Sequence, residues 1–242
     1  MLPRRNSARA LVVAYVVVAV VAVVAEIFRS PLADVAGWLA LPLLAELVLV
    51  STDPPRPRPV VLVVAALALS FLADVAADLL AEPAAFVTLL GLLTLAQLCY
   101  VAAFRGLWRS SLLRTSPRWL IWYGLLYVVG VFAVRAGAGD WFWPLLAYGV
   151  LVAATAVLAS ALGLSAAFGG ALFFVSASLA AMHRFTPGWD KPGLGFWIAL
   201  TLLAAHGLIT LGVVRRWQAE PAAPAALPIA GDVTIEAGAG PN

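Results

Sequence analysis

The segment that decides the fold is VVLVVAALALSFLADVAADLL, residues 60–80. It contains no Pro, Gly, Lys or Arg, and its only charged residues are Asp74 and Asp78 near its end. An α-helix needs about 20 predominantly apolar residues to cross the roughly 30 Å hydrocarbon core of a bilayer. The segment is therefore predicted to be a transmembrane helix.

Similar runs fill most of the chain, which is 64% hydrophobic and 11% charged, with a mean hydropathy of +1.01. The predicted spans are residues 10–28, 32–50, 60–80, 84–104, 119–136, 143–162, 165–182 and 195–214. No run alternates polar and apolar residues as the strands of a membrane barrel do. In lipid the backbone must then satisfy its hydrogen bonds within helices. We expect an all-α, polytopic membrane bundle of about eight helices.

The distribution of basic residues predicts the orientation of this bundle. Of the 15 Lys and Arg residues, eleven fall on one side of the predicted spans: Arg4, Arg5, Arg9, Arg56, Arg58, Arg105, Arg109, Arg114, Arg118, Arg215 and Arg216. The other side has Arg29, Arg135, Arg184 and Lys191. Because short cytoplasmic loops are enriched in Lys and Arg, we expect both termini in the cytoplasm and a multi-pass protein of the cell membrane. Residues 1–216 form the predicted transmembrane domain, and residues 217–242, rich in Pro, Gly and Ala, a flexible cytosolic tail.

Several classes of function lack support in this sequence. Orientation and anionic lipid headgroups account for the loop arginines, so no nucleic-acid partner is expected. Cys99 is the only cysteine, which leaves no disulfide framework and no thiolate cluster for a metal. There is no Gly-rich phosphate loop and no GxSxG motif. We expect no cofactor and no metal, and the sequence gives no oligomeric state.

The best candidate for a functional residue is Asp74, because a charged side chain deep in a bilayer costs about 2.5–3.5 kcal/mol on insertion scales. Ser70 lies one helical turn before it and Asp78 one turn after it, so the three share a helix face. A polar contact with a neighbouring helix is the structural alternative. Glu26 and Asp34 lie near predicted helix ends, where we expect headgroups and water to solvate them.

Other polar residues inside the predicted spans are weaker candidates. Gln97 and Tyr100 are three residues apart in the fourth span, and His206 lies in the eighth. No second His, Cys or carboxylate stands three or four residues from His206, which gives a metal site no local support. The alternative is a packing role, which is the more frequent role of a lone His or Gln inside a membrane helix.

Three segments resemble the lysoplasmalogenase family, also called YhhN-like: SFLADVAADL in the third span, QLCYVAAF in the fourth and GALFFVSASLAAMHRF in the seventh. The resemblance extends over most of the chain through the eighth span. It implies an integral membrane hydrolase that cleaves the vinyl ether bond of lysoplasmalogens and releases a fatty aldehyde and a glycerophospho-alcohol. The implied partner is a membrane lipid, a lysophospholipid.

The resemblance also implies a site, with departures. Its motifs keep Ser70 and Asp74 in the third span, Tyr100 in the fourth, and Gly170, Ala171, Phe174 and Ser176 in the seventh. The departures are Leu41 where the family usually has Lys, Gln97 where it has His, Ala177 where it has Asp, and His206 where it has Gln. Asp74 is the implied catalytic residue, with Ser70, Asp78, Gln97, Tyr100, Ser176 and His206 as substrate-binding candidates.

The missing aspartate at Ala177 leaves the function open. Vinyl ether hydrolysis begins with protonation of an alkene carbon and ends with capture of an oxocarbenium ion by water, so an acid and a base are expected. Asp78 and His206 are the candidates to replace the second group. A noncatalytic relative that binds a lipid or a partner membrane protein is the alternative. A transporter would call for broken helices matched between two halves, which the sequence lacks.

Overall fold

The computed structural model describes residues 2–189 and 191–218, and within these ranges it contains nine α-helices and no strand. The helices are α1 (Leu2–Ile27), α2 (Leu32–Ser51), α3 (Arg58–Leu79), α4 (Ala84–Phe104), α5 (Leu112–Thr115), α6 (Leu120–Ala138), α7 (Phe142–Ala159), α8 (Leu164–Phe185) and α9 (Leu194–Gln218). The prediction of an all-α membrane bundle is confirmed.

Seven helical stretches of the described residues are long and apolar enough to cross a membrane. One of them, Pro117–Leu162, has 46 residues and contains both α6 and α7, which meet at a 3₁₀ turn over Gly139–Trp141. Gly139 has a φ of 49°, a left-handed conformation that glycine adopts without a steric penalty. The Tyr127 hydroxyl of α6 donates to the Leu146 carbonyl oxygen of α7 at 2.8 Å, so the two helices run back alongside each other. The count of eight spans stays a prediction.

The cytoplasmic location of both termini and the flexible tail also remain predictions. Helix α9 includes Trp217 and Gln218, the first two residues of the predicted tail. Residues 219–242 lie outside the described residues.

Seven of the long helices form a closed ring in the order α1, α2, α3, α4, α7, α8 and α9, and α9 returns to α1. Tyr15 of α1 donates a hydrogen bond to the Leu203 carbonyl oxygen of α9, which joins the first helix to the last. Helix α2 also contacts α9 across this part of the ring. Helix α6 lies outside the ring and packs mainly on α7 and α8.

Small residues allow the ring helices to approach closely, as is common where membrane helices pack. A Cβ atom added to Gly170 of α8 would lie 2.6 Å from the Ala156 carbonyl oxygen of α7. One added to Gly212 of α9 would lie 2.6 Å from the Ala166 Cβ of α8. These contacts fix α8 between its two neighbours.

Apolar side chains cover the outside of the bundle. On α6, Ile121 is 70% exposed and Phe132 is 68% exposed. On α1 the exposed valines are Val12, Val13, Val16, Val17, Val20, Val21 and Val24. So much exposed apolar surface is expected of helices that face lipid.

Candidate functional site

A cavity of about 270 Å³ lies between α1, α2, α3 and α9. We call it the acid cavity, because its polar lining residues are Glu26, Asp34, Trp38, Asp74, Asp78 and His206. It lies towards the end of the bundle at which α1 and α3 end and α2 and α9 begin. Acidic side chains from three separate helices are thus brought to one space.

Helical spacing positions two pairs of the lining residues. Asp74 and Asp78 are one turn apart on α3, and Asp34 and Trp38 are one turn apart on α2, so each pair shares a helix face. The Trp38 indole Nε1 donates to Asp78 Oδ2 at 2.9 Å. This hydrogen bond connects the two helix faces across the cavity and orients the Asp78 carboxyl group.

Glu26 reaches the same cavity from the end of α1. A Cβ atom added to Gly195 would lie 2.8 Å from Glu26 Oε2, so the absence of a side chain there lets the carboxyl group approach the first turn of α9. Negative charge is favoured at a helix N-terminus, where the macrodipole is positive. Gly195 therefore provides the space for the Glu26 carboxyl group, and the N-terminus of α9 provides the favourable field.

The four carboxyl groups form an electrostatically connected series. Glu26 interacts with Asp34, Asp34 with Asp78, and Asp78 with Asp74. Among the described residues that line this cavity, none is Lys or Arg. Positive charge in the cavity, from a proton or a cationic ligand, would therefore reduce the repulsion between the carboxylates. The acids do not converge as metal ligands do: in the described part of the chain, no three His, Cys, Asp or Glu side chains are placed to hold a metal ion.

His206 is the deepest titratable residue of the acid cavity. It lies twelve residues after Leu194, about 18 Å along α9 at about 1.5 Å per residue, and is only 3% exposed. Its Nδ1 is 3.0 Å from the Leu202 carbonyl oxygen. Because a carbonyl can only accept, Nδ1 carries the proton of the neutral ring and Nε2 has the lone pair. Nε2 has no hydrogen-bond partner among the described residues, so it is free to accept a proton.

A second cavity of about 200 Å³ lies between α4, α6, α7 and α8. We call it the apolar cavity. Its lining includes Leu93, Gly130, Val131, Leu145, Ala177 and Ala181. Leu89 of α4 lines both cavities. Tyr148 of α7 lines the apolar cavity and is within electrostatic range of Asp74, so the two spaces are neighbours.

Three of the predicted site residues come together in the structure. Asp74, Asp78 and His206 all line the acid cavity. Asp78 and His206, the two candidates to replace the missing aspartate, therefore lie in the same cavity as Asp74. Ala177 itself lines the apolar cavity instead. The position at which the family resemblance places an aspartate therefore lies in the neighbouring space.

The other predicted residues are buried outside the lining of either cavity. Ser70 is 2% exposed and Gln97 is 0% exposed, and neither side chain has a hydrogen-bond partner among the described residues. Tyr100 stacks on Phe104 with ring centroids 5.9 Å apart. The Ser176 hydroxyl donates to the Ile198 carbonyl oxygen of α9 at 3.0 Å. A substrate-binding role for these four residues stays a prediction.

The sequence analysis missed Glu26, Asp34 and Trp38 as cavity residues. Their positions near helix ends favoured solvation by headgroups and water, and Asp34 is indeed exposed. The available signal was the spacing of Asp34 and Trp38, which places an acid and an indole donor on one face of α2. Nothing in the sequence indicated that this face is directed towards Asp78.

Comparison with protein-family models identifies a match to the YhhN family over residues 32–213. Neither the curated proteins nor the solved structures include a significant match to the chain. The matched residues run from the start of α2 into the last turns of α9, and they include Asp34, Asp74, Asp78 and His206. The chain therefore belongs to the YhhN family, the family of lysoplasmalogenases.

Proposed function

We propose that this membrane protein is a lysoplasmalogenase-like hydrolase that acts on the vinyl ether bond of lysoplasmalogen-type lipids in the cell membrane. Family membership supports the class of reaction. The observation that carries the proposal is the shared cavity, which brings Asp74 and Asp78 of α3 together with His206 of α9. An acid and a base can therefore reach one substrate.

The reaction requires a proton donor beside the double bond. In the proposed mechanism, the protonated carboxyl group of Asp74 transfers its proton to the alkene carbon that does not bear the oxygen. The remaining carbon and the ether oxygen then share the positive charge of an oxocarbenium ion. The carboxylates around the cavity stabilise this charge, as paired carboxylates do in glycoside hydrolysis.

Water completes the reaction. It adds to the oxocarbenium carbon while His206 Nε2 or the Asp78 carboxylate accepts its proton, which gives a hemiacetal. The protonated base then returns its proton to the ether oxygen while the Asp74 carboxylate takes the proton of the hemiacetal hydroxyl. The bond between the hemiacetal carbon and the ether oxygen breaks, which releases a fatty aldehyde and a glycerophospho-alcohol and restores both groups. His206 is the better placed base, because its Nδ1 is held as the donor by the Leu202 carbonyl oxygen and its Nε2 has no partner among the described residues.

The decisive experiment measures fatty aldehyde release from lysoplasmenylethanolamine by the protein purified in detergent. Asp74→Asn should lower the rate by about 10²–10⁴-fold, the usual contribution of one general acid. Glu46→Gln is the matched control, because Glu46 is exposed on α2 and lines neither cavity. A rate that is unchanged by Asp74→Asn would contradict the proposed role of Asp74.

A noncatalytic lipid-binding protein of the same fold is the second candidate, and one observation favours it. Ala177 replaces the expected aspartate, and among the described residues that line the apolar cavity there is no Asp, Glu or His. If neither the parent protein nor the variants release aldehyde while the lipid still binds, this second function is the correct one.

A further inference from the structure

The apolar cavity takes no part in the acid–base chemistry, yet it adjoins the acid cavity. Leu89 borders both spaces, and Tyr148, on the apolar side, is within electrostatic range of Asp74. The two cavities therefore share a wall at Leu89. A ligand whose reacting bond lies beside Asp74 would reach the apolar cavity past the Leu89 side chain of α4.

Three of the four polar side chains that line the apolar cavity are already paired within the protein, and the fourth is the Tyr148 phenol at the side of Asp74. The Tyr127 hydroxyl donates to the Leu146 carbonyl oxygen at 2.8 Å, and the Ser178 hydroxyl donates to the Phe174 carbonyl oxygen at 2.8 Å. Arg184, at one end, is 2.6 Å from Glu82 Oε1. A polar ligand would find few free partners here, whereas a hydrocarbon loses no hydrogen bonds on entry.

Short side chains provide the width, and the helix arrangement provides a route of entry. Gly130, Ala177 and Ala181 line the cavity, and nothing lies within 4 Å of a Cβ atom added to Gly130. Helices α4 and α6 both line the space, but each packs mainly against other helices. A chain can therefore enter sideways from the bilayer between α4 and α6, where α6 has a largely exposed apolar surface.

We propose that the apolar cavity is the binding site for the hydrocarbon chain of the lipid whose vinyl ether bond lies in the acid cavity. This inference rests on the proposed function, because that function places the reacting bond beside Asp74. The ligand class is a single-chain amphiphile whose polar end lies beyond Leu89, on the side of the four carboxyl groups. Leu89 and Tyr148 would then contact the part of the chain nearest the reacting bond.

A lysophosphatidylethanolamine with a diazirine at the end of its chain tests this assignment by binding alone, since its ester bond is not a vinyl ether. After illumination, mass spectrometry should find the label on cavity-lining residues of α4, α6 or α8. Gly130→Phe fills the cavity and should reduce this labelling at least tenfold. Gly124→Phe is the matched control on the same helix, because an added Cβ there also meets nothing within 4 Å and Gly124 does not line the cavity.

Ala181→Phe provides a second filling variant should Gly130→Phe fail to fold. The inference is overturned if a folded filling variant is labelled like the parent protein, or if the label appears only on outward-facing residues such as Trp122 and Phe132. Aldehyde release separates this inference from the proposed function. Labelling in the cavity without aldehyde release supports chain binding in the apolar cavity and rejects hydrolysis. Aldehyde release without labelling in the cavity supports hydrolysis and rejects chain binding there.

Discussion

The two cavities adjoin at Leu89 but have opposite chemistry. The acid cavity collects carboxyl groups from α1, α2 and α3 and a histidine from α9, whereas the apolar cavity, between α4, α6, α7 and α8, has no acid among its described lining residues. In the function that we propose, bond cleavage belongs to one half of the bundle and hydrocarbon binding to the other. A residue should therefore affect catalysis or chain binding according to the cavity that it lines.

The largest effect expected in testing this division comes from His206→Asn. Asparagine keeps a donor near the position of Nδ1 and so preserves the contact with Leu202, but it removes the lone pair of Nε2. Aldehyde release should fall by about 10²-fold or more, since a general base contributes 10²–10⁴-fold. Labelling by the diazirine lipid should stay within about twofold of the parent protein.

His183→Asn serves as the control for this variant, because His183 is exposed near the end of α8. If His206→Asn retains full activity, Asp78 becomes the base, and Asp78→Asn should then show the loss. Equal losses of labelling and activity in His206→Asn would contradict the division between the cavities.

A smaller effect is expected when an acid is placed in the apolar cavity. Ala177→Asp introduces a carboxyl group into a cavity whose lining is mainly apolar, so the folded state should lose about 1–3 kcal/mol. Thermal unfolding, followed with a thiol-reactive dye that reports the exposure of Cys99, measures this loss. Ala177→Ser is the control, since a serine there can donate to its own helix as Ser178 does. An increase in aldehyde release by Ala177→Asp would show that the reacting bond extends into the apolar cavity.

The smallest effect is expected at the ion pair between Arg184 and Glu82, which takes no part in the proposed reaction. These side chains are 44% and 57% exposed, and exposed pairs typically contribute about 0–1 kcal/mol. Glu82→Gln should therefore change the unfolding temperature by only a few degrees, and chain labelling should persist. Loss of the labelling would mean that chain binding in the apolar cavity depends on this ion pair.

The sequence predicted the helices more completely than the site. Apolar runs located residues 32–50 and 84–104 to within about one residue of α2 and α4. At the other extreme, α1 begins at Leu2 rather than at residue 10, because polar residues such as Arg and Asn can continue a helix beyond its apolar part. The i, i+4 spacing correctly placed Asp74 and Asp78 on one face.

The composition of the site depends on which helices become neighbours, and that was not predictable from one sequence. Every span presents similar apolar side chains, so hydropathy does not distinguish a ring helix from α6 outside it. Glu26 and Asp34 looked like boundary residues because their partners lie on other helices. The family resemblance made Ala177 the missing member of an acid pair with Asp74, whereas in the structure Ala177 lines the apolar cavity and Asp74 the acid cavity.

The contact between α1 and α9 joins the first helix to be synthesised with the last, so it can form only at the end of synthesis. The carboxyl groups of α1, α2 and α3 reach the membrane well before the helix that carries His206 has been made. At about 5–20 residues per second, the ribosome needs roughly 7–28 s to extend the chain from Leu79 to Gln218. Until α9 has been made, Glu26 lacks the first turn of that helix, and the Tyr15 hydroxyl lacks the Leu203 carbonyl oxygen. The nascent chain must therefore hold an unfinished, acid-rich surface at the membrane until its last helix arrives.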